Sequence, residues 1–315
     1  MKTAAAAISK KKPFSQRLKE DFARNKFKYM LMIPIIIYFL LFHYKPMYGV
    51  LMAFQRYRPT LGIAGSRWVG FDNFIDFFSD PYFWRLLRNT FSISFYSILF
   101  GFPAPIILAL MFNEVKNERF KKTIQTVSYM PHFISLVIVC GIIKVFVQTD
   151  GILPVFIESV FGVPASNWLT ESKYFYPIYV ISGIWQEIGW GSIIYLAALS
   201  GIDQELYEAA KIDGAGRLQQ IWHITIPGIL PTIMILFILR IGGILSVGFE
   251  KILLLYTPTT YEVADVISTY SYRRGIIDAD YSYSTAVGLF NSIVNIVFLV
   301  STNKLSKKFT ETSLF

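Results

Sequence analysis

Residues Glu208 to Pro231 read EAAKIDGAGRLQQIWHITIPGILP, a polar island closed by prolines, with a long apolar run on either side. Asp203 is placed to cap a short helix in which Ile202, Leu206, Ala209 or Ala210 and Ile212 recur at helical spacing. Gly214 then supplies a backbone turn that a residue with a side chain would resist. A second helical piece is predicted through Trp222, and Pro227 and Pro231 punctuate the entry into the next apolar run. Periodicity alone leaves two readings open: an ordinary amphipathic loop helix, or a built element joined rigidly to the helices around it.

The surrounding chain is unusually apolar. It has 315 residues, 54% hydrophobic and 17% aromatic, with a mean hydropathy of +0.46, which marks an integral membrane protein. The net charge of +9 is carried by basic residues flanking apolar runs rather than by an aromatic-interleaved stripe, so it sets orientation and does not point to nucleic acid. The lone cysteine, Cys140, lies in an apolar segment and reads as a packing residue, with no intramolecular disulfide and no thiolate metal cluster.

Taken in order, residues 1–28 form a basic cytoplasmic arm, able to lie on anionic lipid. Apolar runs long enough to cross a hydrocarbon core are expected at 29–48, 90–113, 124–148, 174–200, 229–249 and 284–303. Segments assigned inside then carry 18 Lys or Arg and those assigned outside carry 10. The bias puts both termini and the Glu208 stretch in the cytoplasm. Residues 49–88 become an extracytoplasmic loop, 89–303 a single core with a cytoplasmic loop at 201–228, and 304–315 a cytoplasmic tail. Aromatic residues in the outer segments fit either a membrane-interface belt or a docking rim.

Enzyme chemistry finds no support in the motifs. His43, His132 and His223 fall in separate segments, and no HExxH, GxSxG or paired-cysteine pattern assembles a metal or nucleophile. No GxxxxGK[ST] loop is present to cradle phosphates. Ionisable residues at membrane depth are a stronger signal, because each costs about 2.5 to 3.5 kcal/mol on insertion scales unless paired or facing a cavity. Glu187 and Arg240 fall at similar expected depth in the fourth and fifth spans. They are either a structural ion pair or the lining of a hydrophilic path. Trp185, Trp190 and Tyr195 share the helix of Glu187. In the sixth span Ser284, Gly288, Asn291 and Asn295 share one face, as packing glue or as ligand groups.

The Glu208 stretch resembles the EAA loop of the membrane subunits of bacterial ABC importers, in which Glu-Ala-Ala is followed by Asp-Gly-Ala and then Ile-x-x-Pro. Glu208, Ala209, Ala210, Asp213, Gly214, Ala215, Ile224 and Pro227 fall on that pattern in register. Ile221 departs from a usual aromatic and Ile226 from a usual leucine. RNTFSISFYSILFGFPAPIILALMFNEV, SYMPHFIS, RIGGILSVGFEKILLL, DVISTYSYRRG and YSYSTAVGLFNS are similar to the subgroup that imports oligosaccharides, including lipoprotein-dependent polysaccharide-type permeases.

The resemblance implies an all-α membrane protein of six transmembrane helices, a type I importer permease core preceded by an extra N-terminal helix, multi-pass in the bacterial cell membrane. It implies no cofactor in this chain, with ATP and Mg²⁺ held by two cytoplasmic ATPase subunits. A second homologous permease, an extracytoplasmic solute-binding protein and a carbohydrate substrate complete the expected partners. Glu208, Ala209, Ala210, Asp213, Gly214 and Ala215 would couple the chain to the ATPase. Trp185, Glu187, Trp190, Tyr195, Arg240, Asn291 and Asn295 are the candidates for the substrate path, because sugar recognition combines hydroxyl-directed polar groups with aromatic faces.

Overall fold

A helix of 28 residues, Ser172–Leu199, stands at the centre of the molecule, and most of the other long helices pack on it. The computed structural model describes residues 14–310 and 313–314. The first part of the basic arm, residues 1–13, lies outside them. In chain order the first helices are α1 (Phe14–Phe39), α2 (Lys45–Met47), α3 (Gly62–Gly65), α4 (Asp72–Phe78), α5 (Phe83–Gly101), α6 (Pro103–Glu114), α7 (Glu118–Tyr129), α8 (Leu136–Val147) and α9 (Ile152–Phe161). They continue as α10 (Ser172–Leu199), α11 (Gln204–Ile212), α12 (Arg217–Gln220), α13 (Ile226–Gly242), α14 (Phe249–Leu255), α15 (Tyr261–Ala264), α16 (Ile267–Tyr272) and α17 (Tyr281–Thr310). A two-residue antiparallel ladder, Gln55–Arg56 with Arg67–Trp68, sits in the loop before α4, so the fold is all-α apart from this clip.

Among the described residues five helical stretches are long and apolar enough to cross a membrane: Glu20–Phe54, Phe83–Glu114, Leu136–Phe161, Arg217–Gly242 and Tyr281–Lys308. α10 is the sixth span. At about 1.5 Å per residue it reaches roughly 42 Å, more than a bilayer core requires. Gln186, Glu187 and its Trp and Tyr residues make it less apolar than the other five. It can carry them because α5, α6, α7 and α13 surround it. A Cβ on Gly189 would lie 2.0 Å from the Ser128 carbonyl oxygen, and one on Gly191 would lie 3.0 Å from Pro105, so glycine sets how closely α10 approaches its neighbours.

The expected spans are corrected in three places. The expected 29–48 span begins earlier, because α1 includes residues 14–28 and runs on through a π turn at Leu40–Tyr44 and a 3-10 segment at Tyr48–Phe54. Lys, Arg, Glu and Ala are good helix formers and let the basic segment extend the apolar helix. The 124–148 span is broken: α7 ends at Tyr129, Met130–Phe133 is a 3-10 turn, and α8 starts only at Leu136. Pro131 cannot donate to a helical ladder, which accounts for the break. The 229–249 span stops at Gly242, and the chain turns through Gly243 to Gly248 before α14.

α14 folds back against α8 and α10. Together they bury Ile93, Cys140, Phe175, Tyr179, Ile252, Leu255 and Val266 in one apolar cluster, in which Cys140 is a packing residue. A second cluster, with Phe77, Leu86, Ile267 and Tyr283, fastens the loop before α5 to α16 and α17. A third, Ala109, Tyr195, Leu199 and Ile229, joins α6, α10 and α13 at the end nearest α11.

Candidate functional site

The Asp203–Thr225 loop is built almost wholly from local hydrogen bonds. The Asp203 side chain accepts from Glu205 N at 3.0 Å and caps α11. α11 ends on Gly214 at φ +78°, with Ala215 N donating to Ala210 O at 2.8 Å and Gly214 N to Lys211 O at 3.1 Å. That pair of bonds is the Schellman arrangement, which needs a left-handed residue at Gly214. Gln219 Oε1 accepts from Gly216 N at 2.8 Å, Gln220 Nε2 donates to Ala215 O at 2.8 Å, and the Tyr207 and Thr225 hydroxyls meet at 3.0 Å. The expected second helical piece is α12, followed by a π turn at Ile221–Thr225 that leads into α13 with Pro227 in its first turn.

The loop turns apolar side chains outward. Ile212 is 87% exposed and Leu218 73%, with Leu206 and Trp222 also exposed. Glu208, Ala209, Asp213 and Gly214 lie at the surface and Ala210 and Ala215 are half-buried. A groove of about 350 Å³ opens between the two helical pieces, lined by Ala210, Asp213, Gly214, Ala215, Gln219 and His223. Ile202 packs on Gly228 so tightly that a Cβ there would come within 2.9 Å, and Arg217 Nε lies 3.9 Å from Glu114 Oε2. The loop therefore packs on α13 through Ile202 and Gly228 and reaches α6 through an exposed ion pair.

A larger cavity of about 620 Å³ lies between α5, α10, α13 and α14, in the size range of small-ligand sites. Four of the seven expected path residues line it: Glu187, Trp190, Tyr195 and Arg240. Tyr195 is only 3% exposed and also belongs to the apolar cluster with Ile229. Trp185 lies off the cavity, since it sits about 200° around the helix from Glu187. Asn291 and Asn295 also lie off it. Asn295 is committed to Leu245 N at 3.0 Å and Ser246 Oγ at 3.0 Å, which ties α17 to the turn after α13. Asn291 lines a separate cavity of about 300 Å³ with Ser268, Ser271 and Ser284.

Glu187 and Arg240 share the cavity but do not form an ion pair. Glu187 Oε2 instead meets His132 Nδ1 at 2.9 Å. The His132 ring stacks on Trp190 at 4.5 Å with an interplanar angle of 1°. The Met130–Phe133 turn that interrupts the third expected span is what delivers His132 to this position. Sequence reasoning missed His132, Ser94, Ser97, Gln186 and Lys251 as site residues. For His132 the only signal was its place in the SYMPHFIS segment. For Lys251 it was an isolated lysine inside the apolar run GFEKILLLY. Lys251 is 7% exposed, reaches the cavity, and donates to Tyr179 O at 3.0 Å with its ammonium 4.9 Å from the Tyr179 ring.

Residues 101–311 match the family of binding-protein-dependent transport system inner membrane components. The chain belongs to that family. Its members are membrane transport components rather than enzymes, and the fold is that of a type I ABC importer permease. The chain is similar to Protein LplB of Bacillus subtilis (strain 168), 50% identical over 293 residues that cover 93% of this chain and 92% of LplB. It is 45% identical over 321 residues to the polygalacturonan/rhamnogalacturonan transport system permease protein YteP of the same organism, with both chains fully covered. A chain in the crystal structure of a bacterial ABC transporter involved in the import of the acidic polysaccharide alginate is 47% identical. The match has a TM-score of 0.86 and covers 93% of this chain and 99% of that one. A chain in the crystal structure of a bacterial alginate ABC transporter in complex with an alginate pentasaccharide-bound periplasmic protein is 46% identical, with a TM-score of 0.87, covering 95% of this chain and 100% of that one.

Proposed function

We propose that this chain is one permease subunit of an ATP-driven importer that moves an oligosaccharide inward by alternating access. It works with a second, homologous permease, two cytoplasmic ATPase subunits that hold ATP and Mg²⁺, and an extracytoplasmic solute-binding protein. Both termini and the Asp203–Thr225 loop face the cytoplasm, and residues 49–88 face outward. The transport roles printed for YteP and for the alginate transporter support the substrate class, and the charge asymmetry supports the orientation.

The observation that carries the reading is the outward-turned, internally bonded loop. A segment that transmits motion must fit its partner without yielding and must leave at a fixed angle. The Asp203 cap, the Gly214 turn and the Gln219 and Gln220 bonds supply the first property, and the Ile202–Gly228 packing supplies the second. Exposed Ile212, Leu218 and Trp222 surround a groove that an ATPase element would fill. Closure of the ATPase dimer then shifts α11 and α12, and α13 carries the shift to the cavity where Glu187, Trp190, Tyr195 and Arg240 meet the sugar. The test is Glu208→Lys in the purified complex, scored for retained ATPase subunits, for ATP hydrolysis stimulated by the binding protein, and for uptake. Loss of stimulation and uptake with the second permease still bound is the expected result. Wild-type coupling in that variant would leave the stretch as an ordinary loop helix.

A further inference from the structure

The cavity beside α10 has an unusual charge balance. Two cations, Arg240 and Lys251, and one carboxylate, Glu187, line it. The carboxylate is already bound to His132 at 2.9 Å. Among the described residues no carboxylate comes within ion-pair distance of either cation, and Glu250, next to Lys251 in sequence, is exposed and unpaired with it. Arg240 is exposed, but Lys251 is buried, and a buried charge is ordinarily paired because the loss of hydration is not otherwise offset.

Lys251 is the sharper case. An ammonium has three donors, and the Tyr179 carbonyl takes one. A Cβ on Gly183 would approach Nζ to 3.3 Å, so the glycine lets α10 pass close to the ammonium. The turn at Gly243 to Gly248 is what carries Lys251 inward from the loop position that its sequence implies. A lysine serving only to tie α14 to α10 would not need to line the cavity.

We infer that the Lys251 and Arg240 side of this cavity binds a carboxylate of the transported molecule, so that the substrate is a uronate-bearing oligosaccharide. The inference rests on the saccharide-importer reading above and assigns it a charge. Trp190 and Tyr195 supply ring faces for the sugar C–H surface, while Lys251 and Arg240 supply charge-assisted hydrogen bonds to the acid. Glu187 is hydrogen-bonded to His132 and makes no direct ion pair with either cation, so its charge reaches Lys251 only through space.

The test uses the detergent-purified complex without the binding protein, so that only the membrane cavity selects. Binding of radiolabelled tri-galacturonate and of its carboxyl-reduced, neutral counterpart is measured on wild type, Lys251→Met and Lys251→Arg. Wild type should prefer the acid by about tenfold or more, the worth of one charge-assisted contact. Lys251→Met should lose that preference while still binding the neutral sugar, and Lys251→Arg should keep most of it. Equal binding of both sugars by wild type, or an unchanged preference in Lys251→Met, overturns the carboxylate site. A Lys251→Met that loses both sugars in proportion to its abundance, with no rescue of preference by arginine, overturns it as well and leaves the lysine a structural tie. Energised uptake by wild-type complex with its binding protein separates the two readings. Uptake of saccharide without acid preference in the cavity leaves the importer standing, whereas no saccharide uptake of either kind removes both.

Discussion

The Asp203–Thr225 loop and the cavity beside α10, the two candidate sites of this permease, are assembled in opposite ways. In the loop nearly every stabilising bond joins residues two to five apart, and the apolar side chains point away from the protein. In the cavity the decisive contacts join residues 55 apart, His132 with Glu187, and 72 apart, Lys251 with Tyr179. The loop is thus a locally determined shape with exposed apolar side chains, and the cavity is a product of long-range packing. Substitutions in the first should spare the fold and damage the assembly. Substitutions under the second should do the reverse.

The largest effect is expected at Gly189. A Cβ there would meet the backbone of Ser128 at 2.0 Å, and backbone cannot rotate away as a side chain can. Gly189→Val should force α10 off α7 at a cost of about 3 kcal/mol or more, at or beyond the top of the usual range for overpacking. Membrane abundance and the apparent unfolding temperature of the complex report it, and an unchanged unfolding temperature would sink the close approach. Next comes Gly214→Asp. Beyond its own chain neighbours a Cβ at this position would meet no heavy atom within 4 Å, so the fold feels chiefly a left-handed backbone strain of about 1 to 2 kcal/mol. Gly62 provides the control, since it also has open surroundings and φ +63°. Gly62→Asp should carry the same strain and transport normally, whereas Gly214→Asp should lower stimulated ATP hydrolysis and uptake at least about tenfold. Matching losses in the two variants would assign the effect to strain and not to a partner.

The same contrast decides what could be read in the sequence. Asp203, the Ile202 to Ile212 periodicity and Gly214 define a capped helix and its stop within a dozen residues, and each lands where the spacing put it. The long span at 174–200 was legible for the same reason. The third span was not, because apolar content alone does not report that Pro131 divides the run into α7 and α8. That one break hid His132, so the partner weighed for Glu187 was Arg240, at a similar depth, and not the histidine that the broken helix brings across. Lys251 escaped because the turn after Gly242 reverses the chain, a tertiary event that an apolar run with one lysine does not announce. Asn295 was visible as polar but not as spoken for, since its partners are backbone and hydroxyl groups about 50 residues away.

A smaller effect tests the pairing directly. His132 and Glu187 side chains are 29% and 56% exposed, so their bond should be worth only about 0.5 to 1 kcal/mol in a double-mutant cycle on stability. His132→Ala, Glu187→Ala and the double variant should show that coupling, and uptake should fall to a similar level in all three because the pair acts as one unit. The cycle between Glu187 and Arg240 should instead be close to additive in stability. A larger coupling for Glu187 with Arg240 than with His132 would favour the ion-pair alternative that their similar depth left open.

The smallest effect separates two asparagines on the same helix. Asn295 accepts from Leu245 N and donates to Ser246 Oγ, both at 3.0 Å, while Asn291 Oδ1 is buried with no hydrogen-bond partner. Asn295→Ala therefore removes two made bonds and strands a backbone N–H, for a net loss of about 1 to 2 kcal/mol. Asn291→Leu removes an oxygen that gains nothing from its surroundings and replaces it with an apolar group of similar size. That change should be neutral or slightly stabilising by the same arithmetic, since an unpaired buried acceptor already carries its desolvation cost. Both residues lie off the main cavity, so neither variant should alter the acid-over-neutral preference that Lys251 controls. Unfolding temperatures of the two variants, with the binding ratio of galacturonate to its reduced counterpart, check all of this at once. An Asn291→Leu protein that is stable but loses substrate would move the sugar path from the α10 cavity toward the α16–α17 side, and would show that the α17 stripe serves ligand binding rather than packing.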